Sequence, residues 1–533
     1  MNISRLCDAA TAAALRFEWL DEELAPVSEY GQARFRDLAP FAPGEEDEAE
    51  RHAQRVASIA RTSEPEALES IREALRELPD IRTSIARAQL GENLDDAAFF
   101  LILQFCEISA RLSTLLAAAM PRESVAVCDR LFESLARAKS GKFGFYLADQ
   151  FDQRLAARRR EAAEAESRFD RIRQELADRI AETLNRAQIA TDEFIVMRDD
   201  VDGTLPQGVR VIREAPTYYL CELELDERAL DALQQRDRCS LAVAAAEEAV
   251  RRDLSMQVAD CSDLLAQGIH DLSVVDVTVA AARFAQRYQC VVAAYAKEPC
   301  LDFSDGHFLP LEHDLIAKNR PYVPISLALQ RSNVLTGPNM GGKSAALRTA
   351  GFIALCAAFG LPVPARSATV GIFARIRFLS AGTEETYEDE QLLSSFAREV
   401  VRLREMLDDD VPALWLIDEF ARTTAPDEAR ALLLAVLRRL GHGTQCALAA
   451  THLSNIDGDE ITHFAVGGLR SDGMPAAAGT QHALRALAER MDYRIQRVRE
   501  AQKSASDALE LAGWLGLDKE LVTSAKEILA QCN

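Results

Sequence analysis

Gly337-Pro-Asn-Met-Gly-Gly342-Lys343-Ser344 decides how the rest of this chain is read. It fits the spacing G-x-x-x-x-G-K-[ST]. It also sits between a strand-like run, Ser332–Thr336, and a helical stretch, the context in which that spacing binds phosphate. Glycines let consecutive backbone N–H groups wrap an anion, and the following helix points its positive end at it. Lys343 reaches the β and γ phosphates, and Ser344 offers a hydroxyl to Mg²⁺. Gly337, Pro338, Asn339, Met340, Gly341, Gly342, Lys343 and Ser344 are therefore expected to hold a nucleotide. A chance match on a tight turn is the competing explanation, and 8 Lys among 533 residues make it a poor one.

Downstream, Leu414-Trp-Leu-Ile417-Asp418-Glu419 is an apolar run closed by two acids, as at the C-terminal end of a buried strand. Alone, such a pair reads as a solvated strand end. Beside a phosphate loop it reads as catalytic: Asp418 holding Mg²⁺ through water, Glu419 polarising the attacking water. A glutamate in that place implies hydrolysis of ATP rather than passive binding. Thr451-His452 closes a third run, Gln445–Ala450, so His452 is placed to sense the γ-phosphate. Short buried-strand runs alternating with helical stretches after Pro299 predict a parallel sheet covered by helices.

Before Pro299 the periodicity is helical. Residues 152–186 are dense in alternating charge, as in a solvated helix or coiled-coil arm. Three short strand-like runs, Glu193–Arg198, Val209–Arg213 and Tyr218–Leu225, with the turn signal Asp202-Gly203, predict a small β-containing tip near 190–226. The expected architecture is multidomain: an all-α part over residues 1–300 with that tip, then an α/β P-loop ATPase domain over 301–533.

Charge and cysteine usage narrow the partners. The net charge is −23, and residues 191–240 hold six basic and twelve acidic side chains, a poor setting for a phosphate clamp. Eleven Cys with no C-x-x-C pair suit reduced thiols in a cytoplasm rather than a zinc module or disulfide scaffold. The uncharged stretch Thr349–Ala365, the longest of note, is broken by Gly351, Gly360, Pro362 and Pro364, so a transmembrane protein and a membrane partner are not expected. No basic segment leads into an apolar run at the start, so no signal peptide is expected.

The phosphate loop Thr336–Ser344 resembles that of the MutS family almost letter for letter. Tyr322-Val-Pro324, Val363-Pro-Ala365, Asp418-Glu-Phe-Ala-Arg-Thr-Thr424, Ala450-Thr-His452 and Ala508–Gly513 are similar to further stretches of that family's ATPase. Leu78–Arg82 and Leu272–Val277 resemble its helical core and lever. The resemblance implies an ABC-type ATPase with ATP and Mg²⁺ as cofactors, with Tyr322 stacking on adenine. It also implies a dimer, with itself or a paralogue, in which signature serines complete the partner's site. Those serines match Ser394 and Ser395, in Leu392-Leu-Ser-Ser-Phe-Ala-Arg-Glu399, with helix capping as the plainer reading of them. Three positions depart from the family pattern: Leu392, Ala421 and Thr423 stand where glycines are expected.

The family's mismatch-reading wedge and its nuclease tail are not seen in this sequence. Two clients stay open. One is a protein, an adenosylcobalamin-dependent aminomutase served by a MutS-like reactivating ATPase, and the charge balance favours it. The alternative is mismatched or branched DNA. A structural dimer with vestigial nucleotide binding is disfavoured by intact Lys343, Ser344, Asp418 and Glu419.

Overall fold

The computed structural model describes residues 1–137, 145–201, 204–338, 341–380, 395–453, 456, 458, 460–469, 491–498, 509, 512 and 517–532. A sheet of six described strands carries the C-terminal half. In chain order its strands are β7 (Ser332–Thr336), β9 (Arg375–Ser380), β10 (Ala413–Asp418), β11 (Gln445–Thr451), β12 (Ile461–Leu469) and β13 (Met491–Val498). They lie side by side as β13-β12-β7-β11-β10-β9. Every pair is parallel except β12 with β13.

The central strands β7 and β11 are buried along their whole length, as they must be when helices cover both faces. On one face the helix Lys343–Ala358 is itself buried almost all round. A Cβ at its Gly351 would come within 2.5 Å of Leu15 and 2.7 Å of Leu416, so only glycine allows that approach. On the other face Leu433, Leu437 and Leu440 of helix Pro426–Gly441 share a core with Trp415, Ile417, Ala447 and Ala449. Successive residues of β10 thus feed opposite layers, the period-2 rule of a strand. A second sheet, of β4 (Ala294–Ala296), β5 (Leu301–Gly306), β6 (Ile325–Leu329) and β8 (Ser367–Gly371), runs in the order β4-β8-β5-β6.

The contacts do not divide the chain at 300/301. One compact unit comprises Met1–Arg76, Thr114–Ser124 and Leu272–Asn533; the other comprises Glu77–Ser113 and Val125–Asp271. The reason lies at β9, an edge strand whose outward N–H groups need acceptors. Ile376 N–H donates to Leu6 O (2.7 Å) and Phe378 N–H to Thr11 Oγ1 (3.0 Å). Phe41 N–H donates to Ala358 O at 2.8 Å. The N-terminal segment finishes the ATPase sheet, and periodicity alone carries no sign of it.

The second unit contains the helices Gln153–Thr183 and Glu227–Asp260, joined through β1 (Glu193–Met197), β2 (Val209–Glu214) and β3 (Tyr218–Leu223). The strands form an antiparallel sheet in the order β1-β3-β2, within the span expected for the tip; Asp202 and Gly203 lie outside the described residues. The charge-dense helix is not solvated all round. Phe169, Ile172 and Leu176 pack on Ala229 and Ala232 of its neighbour, and Arg179–Asp226 and Arg228–Glu175 pair across the seam at 3.1 Å each. Among the described residues two helices, Asp96–Ala119 and Ser262–Arg287, are long and apolar enough by composition to cross a bilayer, and neither overlaps Thr349–Ala365. About half of each apolar window, 50% and 56%, is buried inside the protein. The ten cysteines whose side chains are described are free thiols.

One buried carboxylate ties the first unit together. Asp276, on the helix Ser262–Arg287, accepts hydrogen bonds from Ser28 N–H (2.8 Å), Ser28 Oγ (2.6 Å) and Val27 N–H (3.2 Å). It thereby holds the start of helix Glu29–Asp37, and burial pushes its carboxyl above the usual range despite these donors. A Cβ on Gly31 would fall 2.2 Å from Asp276 Oδ2. Gly31→Ala is therefore expected to destabilise the fold by roughly 1–3 kcal/mol, the usual cost of overpacking. Gly44→Ala, with nothing within 4 Å of the new methyl, is expected to cost only the left-handed backbone penalty of about 1 kcal/mol. Thermal melts of the two variants read the difference.

Candidate active site

Register brings the site together. Thr336 at the end of β7 pairs with Thr451 at the end of β11, and Ala450 pairs with Asp418 at the end of β10. Three parallel strands therefore finish at one edge, and the residues just past their ends are Gly337, His452 and Glu419. Such an edge is where open α/β sheets bind ligands.

The phosphate loop has the backbone its sequence requires. Gly337 has φ +151° and Gly342 φ +87°, and Gly342 caps the helix Lys343–Ala358 in the left-handed region. A Cβ at Gly341 would lie 2.9 Å from Pro338 O, and one at Gly342 3.1 Å from the ring of Tyr493. Asn339 and Met340 lie outside the described residues.

Lys343 is 5% exposed, and its ammonium donates to Gly337 O (2.9 Å) and Pro338 O (3.1 Å). It stands 3.9 Å from Glu419 Oε1. Burial lowers its pKa, and the charges of Glu419 and Asp418 work against that shift. Asp418 moves the other way: burial raises its carboxyl, the Ser344 hydroxyl bound to it lowers it, and the Glu419 charge raises it. The donor set fits Mg²⁺–ATP. A hydroxyl and a carboxylate are hard oxygen ligands for a cation that takes its remaining ligands from phosphate and water, while the glycine loop and helix start suit the phosphates.

Glu419 has φ +52° and Ala421 φ +58°, each costing a non-glycine residue roughly 1–2 kcal/mol. This is the physical meaning of one glycine expected from the resemblance: position 421 needs a left-handed backbone, and here an alanine adopts it. The loop is held at three successive residues. Glu419 N–H donates to Ala450 O (2.9 Å), Phe420 is buried in the core, and Ala421 N–H donates to Glu399 Oε2 (2.7 Å). Glu419 Oε2 also accepts from Arg422 Nη1 at 3.1 Å.

The remaining expected residues differ in placement. His452 is exposed at the end of β11. Tyr322 is half-buried: its hydroxyl accepts from Phe308 N–H at 2.9 Å, and its ring stacks on His307, centroids 5.4 Å apart. Ser394 lies outside the described residues, as does the side chain of Ser395, which opens helix Ser395–Met406.

Three contributors were not singled out from sequence. Arg348 lowers the pKa of Asp418 by its charge; it is one helical turn beyond Ser344, a spacing that would have flagged it. Arg422 lies in the same loop as Glu419. Tyr493 reaches Gly342 from a strand some 150 residues on, and no local signal marks it.

A phosphate loop, an acidic strand end and a parallel sheet define a P-loop ATPase domain. Residues 333–533 match the family model described as MutS domain V. The chain is 29% identical to Endonuclease MutS2 of Thermomicrobium roseum over 97% of its own length and 65% of that protein. It is 30% identical to Endonuclease MutS2 of Clostridium botulinum (strain Langeland) over 49% of this chain and 31% of that protein. The corresponding protein of Pelotomaculum thermopropionicum is 30% identical over 52% of this chain and 33% of its own length. The chain spans less than two thirds of the length of the curated relatives it matches.

Gly342→Ala is expected to weaken nucleotide binding at least 10-fold, because a methyl at φ +87° is strained and meets Tyr493. Lys343→Ala is expected to abolish binding. Titration with a fluorescent ATP analogue reads both.

Proposed function

We propose that this chain is a Mg²⁺-dependent ATPase of the MutS type that works as a dimer and couples ATP hydrolysis to a grip on DNA. The observation that carries the ATPase reading is the shared strand edge, with the Lys343 ammonium 3.9 Å from the Glu419 carboxylate. Lys343 and the loop N–H groups bind the phosphates; Ser344 and Asp418 hold Mg²⁺, which neutralises charge on the transferring phosphoryl group when bound. Glu419 orients and polarises the attacking water, and His452 senses the γ-phosphate from the neighbouring strand. Tyr322 packs on adenine. Ser394 and Ser395 complete the site of a second copy or of a paralogue.

The similarity to proteins named Endonuclease MutS2 favours DNA over the protein client that the charge balance favoured. None of the relatives named above is an aminomutase-reactivating ATPase. With a net charge of −23, the grip on phosphates is local rather than spread over the surface, and its salt dependence corresponds to few phosphate contacts. The paired helices Gln153–Thr183 and Glu227–Asp260 with their terminal sheet form the arm that reaches the DNA.

Two measurements test this. Glu419→Gln is expected to retain ATP binding and lose at least 100-fold in hydrolysis; normal hydrolysis would remove Glu419 from its role. ATPase rate is also measured without DNA, with duplex and with branched DNA, at about 50 and about 200 mM salt. Stimulation by branched DNA that fades with salt is the expected result. Indifference to DNA at both salts would sink the DNA reading and leave the ATPase standing.

A further inference from the structure

We infer that Glu399 is the positioning residue that holds the Glu419 loop in its left-handed conformation, an inference that rests on the ATPase reading above. Glu399 lies on helix Ser395–Met406 and is 5% exposed. Its Oε2 accepts the Ala421 N–H at 2.7 Å, while its Oε1 is buried with no hydrogen-bond partner among the described residues. A buried carboxylate with one donor is a costly way to fill space, and burial raises its pKa accordingly. What it secures is a backbone that would relax if released. Glu419 and Ala421 both sit in the left-handed region, with Phe420 anchored in the core between them.

The helix carrying Glu399 is anchored in the same core. Its Leu403 and Met406 are buried with Phe420, Ala421 and Trp415, and Phe396 packs against them. Glu399 therefore joins a rigid helix to the N–H two residues after the acid. Among the described residues, the hydrogen bonds and ion pairs of Glu419 are with Ala450 O, Lys343 and Arg422, none of them with Glu399. Without Glu399 the Ala421 N–H loses its acceptor, the peptide is free to leave the left-handed region, and the carboxylate of Glu419 moves relative to Lys343. Misplacement of about 1 Å is enough to cost roughly 100-fold in rate. No described residue of the phosphate loop is bonded to Glu399, so nucleotide affinity is expected to be preserved.

The experiment compares wild type, Glu399→Ala, Glu399→Gln and Glu399→Asp for kcat and KM of ATP hydrolysis, ATP-analogue affinity and melting temperature. Glu399→Ala is expected to lower kcat about 10- to 100-fold with affinity within about 3-fold of wild type. Glu399→Gln, which keeps a carbonyl acceptor for Ala421, is expected to restore most of kcat. In an Ala421→Gly background, where a left-handed backbone carries no side-chain penalty, the loss from Glu399→Ala is expected to shrink to about 3-fold or less. If the alanine variant does not fold, Glu399→Asp withdraws the carboxylate by one methylene and is read in its place, with the same kcat loss expected. An unchanged kcat in a folded variant overturns the inference. So does a parallel loss of affinity and melting temperature in both the alanine and glutamine variants, which is the mark of a merely structural role. Absence of hydrolysis by wild type would instead overturn the ATPase reading, and this inference with it.

Discussion

A buried ammonium needs acceptors, and the site is organised around that need. Lys343 is nearly removed from water, so its charge must be met by protein groups. Two carbonyls of its own loop meet it from one side, and Glu419 approaches from the end of β10. That meeting requires β7, β11 and β10 to finish in register, which in turn requires strands apolar enough to be buried on both faces. The apolar residues of the sheet and the chemistry at its edge are therefore one constraint. A one-residue slip of β10 would reverse every side chain on it, exchanging Trp415 for Leu416 in the two layers and carrying the acids away from the lysine.

Beyond the strand end, the chain trades backbone comfort for placement. Left-handed backbone at Glu419 and Ala421 lets β10 turn sharply while its final acids stay at the edge. Strain of this kind persists only where the surroundings over-determine it. Here the surroundings are the Phe420 anchor, the bond from Glu419 N–H to Ala450, and the bond from Ala421 N–H to Glu399. Glycine at 421 would remove part of the strain. Alanine there places more of the burden on Glu399.

Charge is largely paired within the two long helices and the sheet between them. Many of their arginines are already committed: Arg159 to Asp149 and Glu247, Arg173 to Asp192, Arg179 to Asp226, Arg228 to Glu175. These pairs neutralise the seam between the helices and leave the acidic excess of the tip in place. On the sheet at the end of the arm, Ile195 and Met197 of β1 are exposed.

Much of this protein is local and was legible in its residues. The phosphate loop, the acidic strand end, the alternation of strands and helices after Pro299, and the three short strands between two long helices all follow from spacing. The period of a strand or helix and the backbone freedom of glycine act over a few residues. What the spacing did not disclose is non-local. Leu6 and Thr11 serve the edge of β9, Asp276 holds a helix some 240 residues earlier, and Tyr493 closes over Gly342. Glu399 could be matched to a pattern, but its bond to Ala421 could not be read from it. By itself the sequence determined where the phosphate loop and the acidic strand end lie and the kinds of element that carry them. Only the tertiary structure decided which distant donors and acceptors are joined, because a buried hydrogen-bonding group is satisfied by whatever packing brings near.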